Sequence, residues 1–454
     1  MKADLLVVGG GAAGLAAALE AAEAGAAVML LEKTSGPGGS SAMSGGCLAF
    51  AGTDLQHDQG IEDSDALLAN DLLALGGGDA DEALIDAYAS QQLDTYRWLK
   101  RLGQHFSPVL EASSGQSVPR VHTVDPADMV RLLAARCRAT GRVEMLPKAT
   151  ANRLLRDKDG RVSGVSGTRD GAHFEAHGAH GVILTTGGFS RNPGLVHRFA
   201  PETEHAVFIG GEGNVGDGLL MAWALGADFR DMAHIKGTFG KHPTDETNNH
   251  SLLCVYKGAI AVNQDGKRFV DESLSYKLLG AACLRQPYGA AFQILDEPII
   301  RSGDNQVRIL DFERRLDEGL FYVADTLDAL AAQIEVPADA LRATVSEYNA
   351  FVDAGADTAF GRRHLVHNHG ALRRIETARF YAYPSTAAVY GTYCGLRVDA
   401  EMRVLDVWGD TIPGLLAAGE VVGGFHGAAY MTGSALGKAL IFGRIAARTA
   451  LGTR

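Results

Sequence analysis

The sequence has no Cys-x-x-C pair. Its five cysteines, Cys47, Cys137, Cys254, Cys283 and Cys394, are scattered along 454 residues, which excludes a disulfide framework, a zinc ribbon and c-type haem attachment. A reducing, cytoplasmic location is the expectation. Long lysine and arginine runs are also missing, and 42 basic against 54 acidic residues leave a formal net charge of −12. The electrostatic footprint of a nucleic-acid or anionic-membrane binder is therefore absent. No stretch reaches the roughly twenty uninterrupted apolar residues of a membrane-spanning helix. Leu5 to Leu19 comes nearest to a signal-peptide core, but Lys2 and Asp4 precede it and Gly9, Gly10 and Gly11 interrupt it. Proline is scarce, at 13 residues, whereas glycine reaches 56. That excess suits close backbone approach to a dinucleotide.

A chain of 454 residues exceeds the usual span of one hydrophobic core, so two domains are expected. Asp4 to Val8 reads as a buried strand, Gly9 to Gly14 as a glycine turn, Leu15 to Ala24 as an Ala-rich helix and Ala27 to Leu31 as a second strand. This unit opens a doubly wound sheet. Helical spacing covers Ser64 to about Gly103 and returns over Asp128 to Thr140, after Asp125-Pro126. Residues 142–186 read as sheet with turns at Asp159-Gly160 and Asp170-Gly171. A helix is expected over Gly216 to Leu225, and composition then becomes mixed to about residue 385, with helices near 327–334 and 338–352. The last seventy or so residues return to strand (Gly414 to Ala418), glycine turn and helix (Ser434 to Thr449), which completes the first domain.

Gly9-x-Gly11-x-x-Gly14 lies between strand and helix, where a pyrophosphate can reach a helix N-terminus. Glu32 closes the second strand, at the spacing of a carboxylate that accepts hydrogen bonds from ribose hydroxyls. This pattern alone does not separate NAD from FAD. A spaced series separates them: Gly38-Gly39-Ser40-Ser41, Thr186-Gly187-Gly188, Asn214-x-Gly216-Asp217-Gly218, Ala418-Gly419-Glu420 and Gly433-Ser434-Ala435-Leu436. Through these segments the chain resembles, over nearly its full length, the flavoproteins of the fumarate reductase and succinate dehydrogenase family, which includes the 3-ketosteroid dehydrogenases.

The resemblance implies an α/β fold: a Rossmann-type (GR2-like) FAD-binding domain over residues 1–235 and 386–454, with an α+β capping domain inserted at 236–385. It implies an FAD site built from Gly9, Gly11, Ala12, Ala13, Gly14, Glu32, Lys33, Gly39, Ser40, Ser41, Ser44, Gly45, Gly46, Thr186, Gly187, Gly188, Asn214, Asp217, Gly419, Glu420, Gly433, Ser434, Ala435 and Leu436. In this picture Gly419-Glu420 holds the ribityl region, and the helix opened by Ser434 points its N-terminus at the flavin pyrimidine ring. Where membrane-bound relatives place a histidine for covalent attachment, this chain reads Ser40-Ser41-Ala42-Met43-Ser44, so FAD is expected to be noncovalent.

The likeness continues through Lys241-His242-Pro243-Thr244 and Gly266 to Glu272, but the dicarboxylate-binding residues depart from the fumarate reductase pattern. Tyr276 replaces the arginine that protonates fumarate, and Tyr430, within His426-Gly427-Ala428-Ala429-Tyr430, replaces the arginine that clamps a carboxylate. The family's Thr-Glu pair falls at Cys254-Val255 and its His-Thr motif at Gly391-Thr392. A phenol offers neither the bidentate fork nor the charge of arginine. Tyrosines at two such places resemble the 3-ketosteroid Δ1-dehydrogenases. The resemblance thus implies oxidation or reduction of a Cα–Cβ bond beside a ketone, with Tyr430 as electrophile, Tyr276 as proton-transfer residue, and His242, Tyr390 and Tyr393 as further candidates. A small carbonyl compound and a separate electron donor or acceptor are the expected partners. One alternative is an enoate reductase that binds its carboxylate through Arg120, Lys241 or Lys277, and another is a flavin-binding redox component without turnover. His173, His177 and His180 sit in a polar hairpin without ligand spacing, and no metal site is expected.

Overall fold

Leu5–Val8 is a strand with all four side chains buried, because an unbroken apolar run suits only a sheet covered on both faces. In the computed structural model, which describes residues 1–203, 206–235, 237–245 and 250–453, this strand is central to a six-stranded sheet. The order is Arg403–Leu405, Thr411–Ala417, Val182–Leu184, Leu5–Val8, Val28–Glu32, Val143–Pro147. All neighbours are parallel except the Arg403–Leu405 edge. Val182 pairs with Leu6 on one side and Leu415 on the other, so the C-terminal segment does complete the sheet. The protein is thus an α/β chain with a Rossmann-type domain and an insert.

The helix after the first strand runs Ala12–Glu23, three residues earlier than the Leu15 start expected. The third glycine of the motif lies inside its first turn, because a Cβ on Gly14 would stand 1.9 Å from the Gly9 carbonyl oxygen. The glycine brings the helix against the strand end. The helical stretch after Ser64 is two helices, Asp65–Gly76 and Glu82–Leu102. Left-handed Gly77 ends the first, and the Asp81 side chain, accepting from the Ala83 N–H, starts the second. Pro126–Ala139 follows the Asp125 cap as expected. Ala149–Arg156, Val162–Arg169 and Ala172–Gly178, joined by the two Asp-Gly turns, run antiparallel in a smaller four-stranded sheet whose edge, Lys2–Ala3, is parallel to Ala172–Gly178.

The ten-residue strand Phe380–Val389, which begins in the insert and runs out of it, carries Ala290–Asp296, Thr238–Lys241 and Tyr322–Ala324 antiparallel and, from outside the insert, Val207–Phe208 parallel. The helices Leu327–Gln333 and Ala338–Ala354 lie where the sequence places them. Two apolar cores result. One gathers Leu6, Ile183 and Leu416, and the other Ile260, Ile294 and Tyr381. Tyr430 packs in the second core together with Tyr276, although its segment otherwise belongs to the first. Among the described residues no helix is long and apolar enough to cross a membrane.

Candidate active site

A single long cavity runs from the glycine turn to the second core. Every expected cofactor residue lines it except Gly14, Gly46, Gly188 and Ser434. The three glycines pack behind the wall, against Gly9, Val124 and Glu420, and the Ser434 hydroxyl donates to the Met431 carbonyl at 2.8 Å. At one end the Glu32 carboxylate accepts from the N–H of Gly10 and the N–H and hydroxyl of Thr34, each at 2.8 Å. Ser41 Oγ accepts from the Ala12 N–H at 3.0 Å, which ties the Ser40-Ser41 turn to the helix N-terminus. Lys33 pairs with Asp217 at 2.5 Å. In the middle, Asn214 Nδ2 donates to both oxygens of Glu420, one of which also accepts from the Thr392 N–H at 2.9 Å.

Gly433 caps the helix Ser434–Leu451 with φ +88°, and a Cβ there would stand 2.7 Å from the Ala49 nitrogen. Only glycine lets this N-terminus reach the cavity. Thr186 Oγ1, in the wall, is buried without a protein partner. A buried hydroxyl is costly unless something pairs with it, and the polar, glycine-cradled wall beside it fits a dinucleotide.

The other end is aromatic. Tyr276, Tyr390, Tyr393 and Tyr430 line it. Tyr276 and Tyr430 have ring centroids 5.5 Å apart, and Tyr393 packs on Tyr430 at 4.8 Å. Burial raises the Tyr276 and Tyr393 phenols well above their ordinary value. It pushes Tyr430 up to about 12, against the opposing pull of a hydrogen bond from Tyr276 and of the Ala435 and Gly433 N–H groups. Tyr390, bonded to the Ser251 hydroxyl at 2.5 Å, is pushed up to about 12. All four phenols are neutral near pH 7. His242 stands outside this wall, with its Nδ1 bonded to Thr244 and its ring edge-on to Tyr383.

A family model described as FAD binding domain matches residues 4–436. The chain belongs to the FAD binding domain family. It is similar to a fumarate reductase (cytochrome) of Shewanella frigidimarina, 32% identical over 98% of this chain and 76% of that protein. It is also similar to a vinyl phenol reductase of Lactiplantibacillus plantarum, 29% identical over 98% of this chain and 96% of that one. Among solved structures it resembles a 3-ketosteroid-Δ4-(5α)-dehydrogenase of Rhodococcus jostii in complex with 4-androstene-3,17-dione. That match has a TM-score of 0.80 and 27% identity, over 99% of this chain and 96% of that chain. As a member of the FAD binding domain family, the protein is an FAD-dependent oxidoreductase.

The three cations weighed for an enoate site are placed elsewhere in this family member. Arg120 is fully buried between Asp63 and Asp71, at 2.7 and 2.6 Å. Lys241 pairs with Asp245, and Lys277 lies over the Tyr393 ring at 4.3 Å. None lines the cavity. Two cations that do line it, Arg308 and Lys438, carried no sequence signal. Arg308 lies in an irregular segment without a motif. Lys438 sits one turn inside an otherwise apolar helix face, donates to the Val422 carbonyl at 2.9 Å, and is pulled down by burial to about 8.

Proposed function

We propose that the protein acts on the Cα–Cβ bond beside a ketone, with Tyr430 at the carbonyl oxygen and Tyr276 moving the α-proton. The observation that carries this reading is the convergence of two neutral phenols, from distant parts of the chain, at the aromatic end of the FAD cavity. Bound FAD supplies hydride exchange with the β-carbon. Tyr430 lines the cavity beside the N-terminus of the helix Ser434–Leu451, where a neutral phenol can donate to a carbonyl oxygen. Such a donor acidifies the α-carbon of a ketone and holds charge on an enolate oxygen.

The protonation state of Tyr276 suits one direction. With burial holding the phenol neutral, it can deliver its proton to the α-carbon, and this proton together with the hydride that bound FAD would supply balances reduction of a C=C bond. Desaturation requires the phenolate first, which this environment disfavours. The relatives named as fumarate and vinyl phenol reductases agree with the reducing direction. Each turnover also needs a separate electron partner to restore the cofactor.

The same reading divides the chain into residues 1–235 with 386–454 around FAD and residues 236–385 over a small carbonyl substrate. It places the protein in the cytoplasm, in keeping with five free cysteines. A second reading, reduction of an unsaturated carboxylate, has one observation in its favour: the guanidinium of Arg308 reaches the cavity. The test is anaerobic mixing of the photoreduced protein with cyclic enones and with enoates. Rapid return of oxidised flavin absorbance with enones alone is expected. A response to enoates alone favours the second reading, and silence with every compound leaves a flavin-binding component without turnover.

A further inference from the structure

Arg308 is set apart from the other arginines of the interior. Arg120, Arg315, Arg362 and Arg444 are each almost fully buried, and each holds a carboxylate. Arg308 is half-buried, lines the cavity, and enters none of the ion pairs of the described residues. Its one hydrogen bond there runs from Nη2 to the Met43 carbonyl at 3.1 Å. That bond ties the head group to the Ser40–Ser44 segment and leaves most of the guanidinium donors unused.

The one carboxylate whose charge reaches it, Asp125, is exposed, forms no ion pair with it and accepts from the Asp128 N–H as a helix cap. Cys47 is pushed up to about 11 by burial and stays a thiol, and Tyr390 stays a phenol. The carboxylates that line the cavity are engaged elsewhere: Glu32 with Gly10 and Thr34, Asp217 with Lys33, and Glu420 with Asn214 and Thr392. A partly desolvated guanidinium is costly until an anion meets it, and its planar fork matches a carboxylate.

We propose that Arg308 binds a carboxylate of the substrate, so that the substrate is a keto acid or its enone form, with the ketone at the tyrosines and the acid group at Arg308. This rests on the ketone reading above and adds a second recognition point to it. The position differs from that of Tyr276, at the place of the family's proton-donating arginine, and from that of Tyr430, at the place of its carboxylate clamp. It therefore restores acid recognition without restoring the dicarboxylate site. Burial also pulls the guanidinium below its ordinary value, as expected for a cation that awaits its counter-ion.

The experiment uses the FAD-loaded protein and follows the shift of the flavin visible spectrum on ligand binding, with no turnover needed. The probes are 4-oxocyclohexanecarboxylate, its methyl ester, and cyclohexanecarboxylate, against wild type, Arg308→Gln and Arg308→Lys. In wild type the keto acid should bind about 10- to 100-fold more tightly than the ester, the span of a charge-assisted hydrogen bond. Arg308→Gln should bring the ratio near one by weakening the acid alone, and Arg308→Lys should keep part of it. A ratio near one in wild type, a ratio unchanged in Arg308→Gln, no spectral shift with any probe, or loss of FAD from the variant overturns the proposal. Arg308-dependent binding of cyclohexanecarboxylate that is as tight as that of the keto acid would keep Arg308 and overturn the ketone reading instead.

Discussion

Tyr276 and Tyr430 meet with ring centroids 5.5 Å apart and planes inclined at 44°, one from the capping segment and the other from the stretch that leads into the helix at the flavin site. Their hydroxyls do not share the same surroundings. Tyr430 stands beside the helix N-terminus and packs on Tyr393 and His426, whereas Tyr276 opens a helix of the capping segment.

The two should therefore fail differently. Tyr430→Phe removes a donor aimed at an enolate oxygen and should cost about 10²–10³ in rate, slowing α-proton exchange and flavin turnover together. Tyr276→Phe should cost about 10²–10⁴ and abolish exchange of the α-proton into deuterated solvent. Both variants should keep FAD. Wild-type exchange rates in Tyr276→Phe would remove that residue from the mechanism and move the search to Tyr390 and Tyr393.

The purified protein should be yellow, and acid or heat should release intact FAD into the supernatant, because Ser40 to Ser44 offers no histidine for a covalent bond. Flavin that remains with the precipitated chain on a denaturing gel would contradict this.

Glu32→Ala should weaken FAD binding by about 1–3 kcal/mol, the range for hydrogen bonds to a charged group. Part of that loss would be indirect, since the Gly10 and Thr34 N–H groups also lose their acceptor. Titration of the apoprotein with FAD measures it, and an unchanged dissociation constant would place the adenosine elsewhere.

Lys438 gives a pH signature. Its folded value of about 8 lies below the ordinary 10.5, so between those values the unfolded chain binds the extra proton and folding gains stability as pH rises. Below pH 8 the full penalty is present, on the order of 3 kcal/mol. Lys438→Met should therefore be more stable than wild type at pH 7 in urea unfolding, and the advantage should shrink toward pH 10. A difference independent of pH would mean that Lys438 is not desolvated as described.

What could be read from the sequence was local. Gly9, Gly11, Gly14 and Glu32 fall within one strand–turn–helix–strand unit, where spacing alone fixes geometry, and the Asp125 cap sits next to the helix it starts; the break before Asp81 was missed because helical spacing runs on across it. The tyrosine pair was accessible only through family resemblance, since nothing in the spacing of Tyr276 and Tyr430 brings them together. Arg308 was illegible because its segment has no periodicity and its meaning depends on what fails to surround it. His242 lay within a family motif, yet its side chain turns to Thr244, since a motif fixes the backbone position and leaves the rotamer to its neighbours.

The strand pairing of Val182 with both Leu6 and Leu415 has a consequence for synthesis. The floor of the flavin site, at Gly9, leaves the ribosome first, and its closing pieces, Glu420 and Gly433, leave more than four hundred residues later. At roughly 5–20 residues per second, the nascent chain carries half a binding site for tens of seconds. The site therefore stays incomplete until the Gly433 segment has been made and has folded onto the sheet, and FAD finds its full set of contacts only after that point.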